Sequence, residues 1–212
     1  MPLCSRHLTP ADHRVMPWKN GQGQTTEIVS FPPGSTLETF TYRVSIADLG
    51  ASGPFSVFPG VDRILVQTSG HPMTVTHEGR PPRPLRLLSP VRFPGEWPTH
   101  GDVPTAPVRD FNVMTRRALA TAGVTVHELA PGSTVHHQHP ATAHLVHALQ
   151  GTVSIQLPTS GLPPSTPPLI TLSPGDTWLL TADPDDDTAF DLSAAGAAVV
   201  AILVSISPAL RP

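Results

Sequence analysis

Apolar and polar positions along this chain alternate over short stretches, and no segment sustains the 3.6-residue apolar period of an amphipathic helix. Runs rich in Val, Ile, Thr and Phe are instead closed by proline or glycine, the punctuation that separates strands. They predict strands over Thr41–Ile46, Ile64–Thr68, Met73–Thr76, Phe111–Thr115, Val124–Leu129, Thr152–Leu157, Leu169–Leu172 and Ala198–Ile206. The 27 prolines and 16 glycines leave little room for helix, because proline removes an amide donor and clashes with the preceding turn. An all-β sandwich or barrel follows.

The order of these segments occurs twice. Val61–Gly70 leads into a strand, then the proline-rich Arg80–Pro84, then Leu85-Arg-Leu-Leu-Ser-Pro90; Ala143–Gly151 leads into a strand, then the loop Pro158–Pro168, then Leu169-Ile-Thr-Leu-Ser-Pro174. Gly70 and Gly151 are 81 residues apart and the two Leu-Ser-Pro triplets 84, a difference that hairpin loops absorb. The chain therefore reads as two tandem β modules, residues 1–118 and 119–212. In the second, Gly132-x4-His137-x-His139-x4-His144-x6-Gly151 resembles the cupin pattern, with histidine where glutamate is usual. For the second module that resemblance implies a cupin barrel, a double-stranded β-helix of the RmlC-like jelly-roll kind.

Composition narrows the partners. Charged residues make up only 14% of the chain, and a net charge of -3 with pI near 6.4 gives no basic footprint for nucleic acid. The single cysteine, Cys4, has no internal disulfide partner. Met1–Pro10 lacks the apolar stretch of a signal peptide, and the longest apolar run, Gly196–Val204, is far short of the ~20 residues of a membrane span. That run reads as a buried strand, and the cytoplasm is the expected address.

Two places carry candidate chemistry. In the second module, His127, His136, His137, His139, His144 and His147 crowd one stretch. His-x-His on a strand turns both imidazoles to one face, so His137, His139 and His144, with Asp186 in the slot of a fourth ligand, form a candidate site for Zn, Fe, Ni or Mn. The competing reading makes the polar segment from His136 to His144 a solvated loop.

The first module offers anion chemistry. Lys19, the only lysine, sits in Trp18-Lys-Asn-Gly-Gln-Gly-Gln-Thr-Thr-Glu27, where Asn20-Gly21 signals a turn whose amides can also form an anion nest. Strand alternation groups Arg43, Ser45 and Ala47 on one face, and Asp110, Asn112, Met114 and Arg116 on another. Aligning Gly70 with Gly151 puts Arg63 in the slot of His144, and Ser56 and Phe58 in those of His137 and His139. A barrel wanting only stability turns apolar residues inward, so inward guanidiniums imply a ligand that neutralises them. Pairing of Arg63 with Asp62, and exposed strand ends for Arg43 and Arg116, are the bland alternatives.

Four strings, Trp18–Glu27, Tyr42-Arg-Val-Ser-Ile-Ala47, Phe55-Ser-Val-Phe-Pro-Gly-Val-Asp-Arg63 and Asp110-Phe-Asn-Val-Met-Thr-Arg116, closely resemble the HutD/Ves family of bacterial proteins. Gln22 stands where that family usually has glycine, and the histidine cluster is not a general mark of it. The resemblance implies a bicupin associated with histidine utilisation, without established enzymatic activity, that binds a carboxylate-bearing intermediate of the urocanate, formiminoglutamate or formylglutamate type. Carried over residue by residue, it gives Lys19, Asn20, Thr25, Glu27, Arg43, Ser45, Asp62, Arg63, Asn112 and Arg116 as the lining. A non-catalytic binding protein without cofactor is the leading expectation. A metal-dependent cupin enzyme of the dioxygenase or isomerase type, using the histidines, is the alternative. Sheet edges that need covering make a homodimer compatible with either.

Overall fold

The computed structural model describes residues 4–158, 168–183 and 187–209; Asp186 and most of the Pro158–Pro168 loop lie outside them. Apart from a single 3-10 turn at Pro10–Asp12, the described elements are strands. Each predicted segment falls on one of these strands, and the segment from His136 to His144, read alternatively as a solvated loop, is divided between the strands Thr134–Pro140 and Ala143–Gln150.

The chain divides into two compact units, His13–Ala122 and the described parts of Met1–Asp12 with Gly123–Pro212. This differs from a division at residues 118 and 119 mainly at the leading end. Cys4–Leu8 pairs along its whole length with Thr177–Thr181 and so completes the second unit. The reason is a sheet edge: Thr177–Thr181 would otherwise present one row of unpaired backbone groups. Cys4 itself is exposed and free.

In the first unit a six-stranded sheet runs in the order Arg14–Pro17, Gly23–Phe31, Tyr42–Leu49, Val108–Arg116, Val61–Ser69, Val91–Pro94. A four-stranded sheet runs Gly53–Pro54, Thr99–Asp102, Thr74–His77, Arg83–Pro84. Leu49, Leu65 and Val108 of the first sheet pack with Val75 of the second in one apolar cluster. The register at the centre of the larger sheet fixes the site. Met114 lies opposite Arg43 and Arg63, Asn112 opposite Ser45 and Leu65, and Asp110 opposite Ala47 and Gln67.

The second unit repeats the plan with a five-stranded sheet, Cys4–Leu8, Thr177–Thr181, Ala143–Gln150, Val199–Pro208, Ala120–Leu129. Its four-stranded partner is Thr134–Pro140, Asp187–Ala194, Val153–Gln156, Leu169–Leu172. The repeat legible in the sequence has a physical basis in its glycines. A Cβ on Gly70 would meet the Pro107 carbonyl oxygen at 2.5 Å, and one on Gly151 the Ala198 carbonyl oxygen at 2.5 Å. Both glycines also take positive φ, 87° and 70°, so each ends its strand where only glycine fits.

Candidate functional site

The first unit holds a cavity of about 400 Å³, open on one side, walled by the inward rows of its central strands, the Trp18–Gln22 turn and the Gly53–Phe58 segment. The turn forms as the Asn-Gly pair predicts. The Trp18 amide donates to the Gly23 carbonyl oxygen at 2.9 Å, Gly21 takes φ of 68°, and the Trp18 indole N–H donates to Thr25 Oγ1 at 2.9 Å. Lys19, Asn20 and Thr25 thereby reach the cavity wall.

Two guanidiniums dominate the interior. Arg43, 6% exposed, donates from Nε to Glu27 Oε2 at 2.6 Å and from Nη1 to Ser45 Oγ at 3.2 Å. Glu27 thus holds Arg43 from behind and does not itself line the cavity. Arg63, also 6% exposed, lies among the rings of Phe55, Phe58 and Phe93 at 5.3, 5.9 and 5.1 Å. Its Nε is buried without a hydrogen-bond partner. Burial, reinforced by the positive charge of Arg43, lowers its pKa to about 10 despite the pull of Asp110.

Acceptors complete the wall. Asn112 and Asp110, 8% and 2% exposed, each bury an Oδ1 that has no partner. Burial raises the Asp110 pKa to about 7; Arg63 opposes that rise and Asp48 adds to it. Buried polar atoms are almost always hydrogen-bonded, so three orphans beside one cavity make it the candidate site.

Of the expected lining, Lys19, Asn20, Thr25, Arg43, Ser45, Arg63 and Asn112 meet at the cavity. Three residues do not: Glu27 stands behind Arg43, and two more turn elsewhere. Asp62 precedes Arg63 on its strand and therefore turns to the opposite face, where it accepts from Arg117 Nε at 2.8 Å. Arg116, at the end of its strand, turns to the Phe40 ring and donates from Nε to the Phe40 carbonyl oxygen at 3.2 Å. Asp110 was absent from the motif-derived lining, although its place two residues before Asn112 on the same strand face was the available signal.

In the second unit His137 and His144 lie edge to face at 5.1 Å, and His139 is 6.3 Å from His137. The expected face-sharing of the His-x-His pair therefore holds, while His136 turns away to Asp191 at 2.7 Å. His127, His137 and His144 each bury an Nε2 without a hydrogen-bond partner. Burial first, then neighbouring imidazoles, lowers the pKa of His137 and of His144 to about 4, so both are neutral at pH 7. Among the described residues, no three His, Cys, Asp or Glu side chains stand in an arrangement that would hold a metal ion.

Curated relatives include an uncharacterised 21.2 kDa protein from the hutC 3′ region of Pseudomonas putida, 39% identical over 50% of this chain and 56% of that one. Protein Ves of Cronobacter sakazakii is 37% identical over 54% of this chain and 64% of its own. The matches thus span just over half the length of these relatives. Among solved structures, a conserved protein of unknown function from Pseudomonas aeruginosa PAO1 superposes with a TM-score of 0.83 at 29% identity, covering 96% of this chain and 99% of that one. HutD from Pseudomonas fluorescens SBW25, solved in a formate condition, gives 0.78 at 26% identity over 99% and 100% of the two chains. Oxalate decarboxylase of Lactobacillus farciminis, at 8% identity and a TM-score of 0.69 over 95% and 86%, shares the fold alone and marks it as a bicupin. The HutD family model covers residues 10–201, most of both barrels and the whole cavity wall, and the chain belongs to that family.

Proposed function

We propose that the first barrel binds a small carboxylate-bearing metabolite and that the protein modulates histidine utilisation without catalysing a reaction. The observation that carries this reading is the buried Arg63 guanidinium, with an unpartnered Nε, on the wall of a cavity it shares with Arg43. An isolated buried charge is costly, and a carboxylate that accepts from Arg63 and Arg43 removes the cost through charge-assisted hydrogen bonds. Asn112 and Ser45, between the guanidinium level and the Asp110 level of the sheet, fix its orientation. Lys19 adds a further cation at the turn. Urocanate, formiminoglutamate and formylglutamate are the ligand types to try first, in a cytoplasmic protein.

Thermal-shift screening of these acids tests the reading. A ligand at 100 times its dissociation constant adds about 2.7 kcal/mol to stability. Stabilisation of the wild type that disappears in Arg63→Met supports the proposal, and no stabilisation by any carboxylate at millimolar concentration contradicts it.

A second reading, a metal-dependent cupin enzyme centred on His137, His139 and His144, rests on the unpartnered Nε2 atoms of His137 and His144, although the three side chains as they stand do not form a metal-holding group. His139 Nδ1 lies 2.8 Å from the Pro140 carbonyl oxygen, the type of contact that leaves Nε2 free to ligate. A bound Zn, Fe, Ni or Mn ion would supply Lewis acidity. Elemental analysis of protein purified without chelator decides it: a stoichiometric metal supports this reading, and less than about a tenth of an equivalent removes it.

A further inference from the structure

The carboxylate reading accounts for the cations of the cavity but leaves its buried acceptors unexplained. Asp110 is 2% exposed, lines the cavity, and has an Oδ1 without a hydrogen-bond partner. No ion pair joins it to Arg63; the Arg43 guanidinium is engaged by Glu27, and Arg109, next to Asp110 in sequence, is engaged by Asp48. A plain carboxylic acid held by the two arginines would leave that oxygen orphaned, and would add a second negative charge to the same cavity.

The register gives this acceptor a place. Arg43, Met114 and Arg63 form one inward level of the sheet, Ser45, Asn112 and Leu65 the next, and Ala47, Asp110 and Gln67 the third. Four residues of extended strand separate the first level from the third, roughly 13 Å of backbone, which long arginine side chains can shorten. The interior is therefore polarised along the strands, guanidiniums toward one end and a carboxylate toward the other, with an amide between. Gln67 does not compete for a guest, because its side-chain amide donates to the His71 carbonyl oxygen at 2.7 Å and its Oε1 accepts from the Met73 amide at 3.1 Å.

Resting on the carboxylate reading, we infer that Asp110 is the specificity-determining residue of the cavity: it accepts a hydrogen bond from an N–H on the ligand, while Arg63 and Arg43 take a carboxylate of the same molecule. The ligand class is thus a carboxylic acid that also carries an amide, amidine or amine nitrogen bearing hydrogen, bound in one direction. Asn112, one level nearer the arginines with its own unpartnered Oδ1, is placed to share that donor or accept a second. The aromatic wall of Phe55 and Phe58 covers the apolar stem between the two polar ends.

Three probes of common carbon skeleton separate the possibilities by isothermal titration: N-acetyl-L-glutamate, its ester isostere 2-acetoxyglutarate, which replaces the N–H by oxygen, and glutarate. The wild type should bind the amide at least about tenfold more tightly than the ester, because a buried carboxylate left facing an ester oxygen loses its donor and gains a repulsion. Asp110→Asn should bring the two within about threefold of each other. Arg63→Met should weaken all three. Equal binding of amide and ester by the wild type, with glutarate binding still dependent on Arg63, overturns the role of Asp110 and leaves the carboxylate reading standing. A preference for the amide that survives in Asp110→Asn overturns it too. Failure of all three probes to bind at millimolar concentration defeats the carboxylate reading and this inference with it. The wild-type comparison needs no variant, so it holds even if Asp110→Asn folds poorly.

Discussion

The two barrels of this chain share an order of strands and a pair of strand-ending glycines, yet their interiors have opposite character. The second is filled: Trp178, Phe190, Leu180, Leu192, Ile155 and Val153 form a continuous apolar cluster. The first is hollow at the corresponding level, with Arg43, Arg63, Asp110 and Asn112 turned toward a cavity. The slot that holds the fully buried His144 in one barrel holds Arg63 in the other. Both copies carry apolar clusters, but the first also turns buried guanidiniums and a carboxylate toward a cavity, a burial that no packing argument explains.

The contrast can be broken most forcefully from the filled side. Trp178 is fully buried and its indole N–H donates to Ser5 Oγ at 2.9 Å, so Trp178→Ala should cost about 3–5 kcal/mol in denaturant unfolding. A cost below about 1 kcal/mol would mean that the second barrel is not the packed one. On the hollow side, Arg63→Met should do the reverse. Ligand affinity should fall by about 1.5–3 kcal/mol, the range of a charge-assisted hydrogen bond. Stability of the ligand-free protein should change by less than about 1 kcal/mol, because the lost charge had no hydrogen-bonded partner at Nε.

The barrels should also answer pH in opposite directions. Asp110 has a folded pKa of about 7 against an ordinary 3.8, so the unfolded chain releases its proton first and stability falls as pH rises through that interval. Asp110→Asn should remove that slope. His137 and His144 have folded pKa values of about 4 against an ordinary 6.5, so in metal-free protein their contribution is lost as pH falls from 6.5 toward 4. Unfolding free energies measured across this range check both signs, and a flat profile in both wild type and Asp110→Asn would contradict them. Smallest of all is Arg116→Ala, which should leave ligand affinity within about twofold, because that guanidinium serves the Phe40 carbonyl outside the cavity.

The sequence made the β class and the doubled plan legible because glycine, proline and β-branched residues act locally, within a few positions of where they stand. Alternation likewise sufficed for Arg43, Ser45 and Asn112, whose strand faces are set by neighbours one residue away. It could not reveal the partners chosen across space. Arg116 obeys the same alternation, yet it lies at the strand end and finds backbone carbonyls there. Asp62 stood inside the motif that named Arg63, but adjacent strand residues face opposite ways and Arg117 and Glu96 wait on the outer side. Cys4–Leu8 carried no mark of its destination, because the edge that it covers lies at Thr177–Thr181, at the far end of the chain.

The most direct test of an anion held by the inner guanidiniums is to follow the arginine Nε–H resonances by nitrogen-resolved NMR during titration with a small carboxylate. The account predicts that the Arg63 Nε–H signal, unpartnered in the free protein, shifts saturably with Arg43 following and Arg116 and Arg117 unmoved. Shifts confined to the exposed arginines, with Arg63 silent, would contradict it.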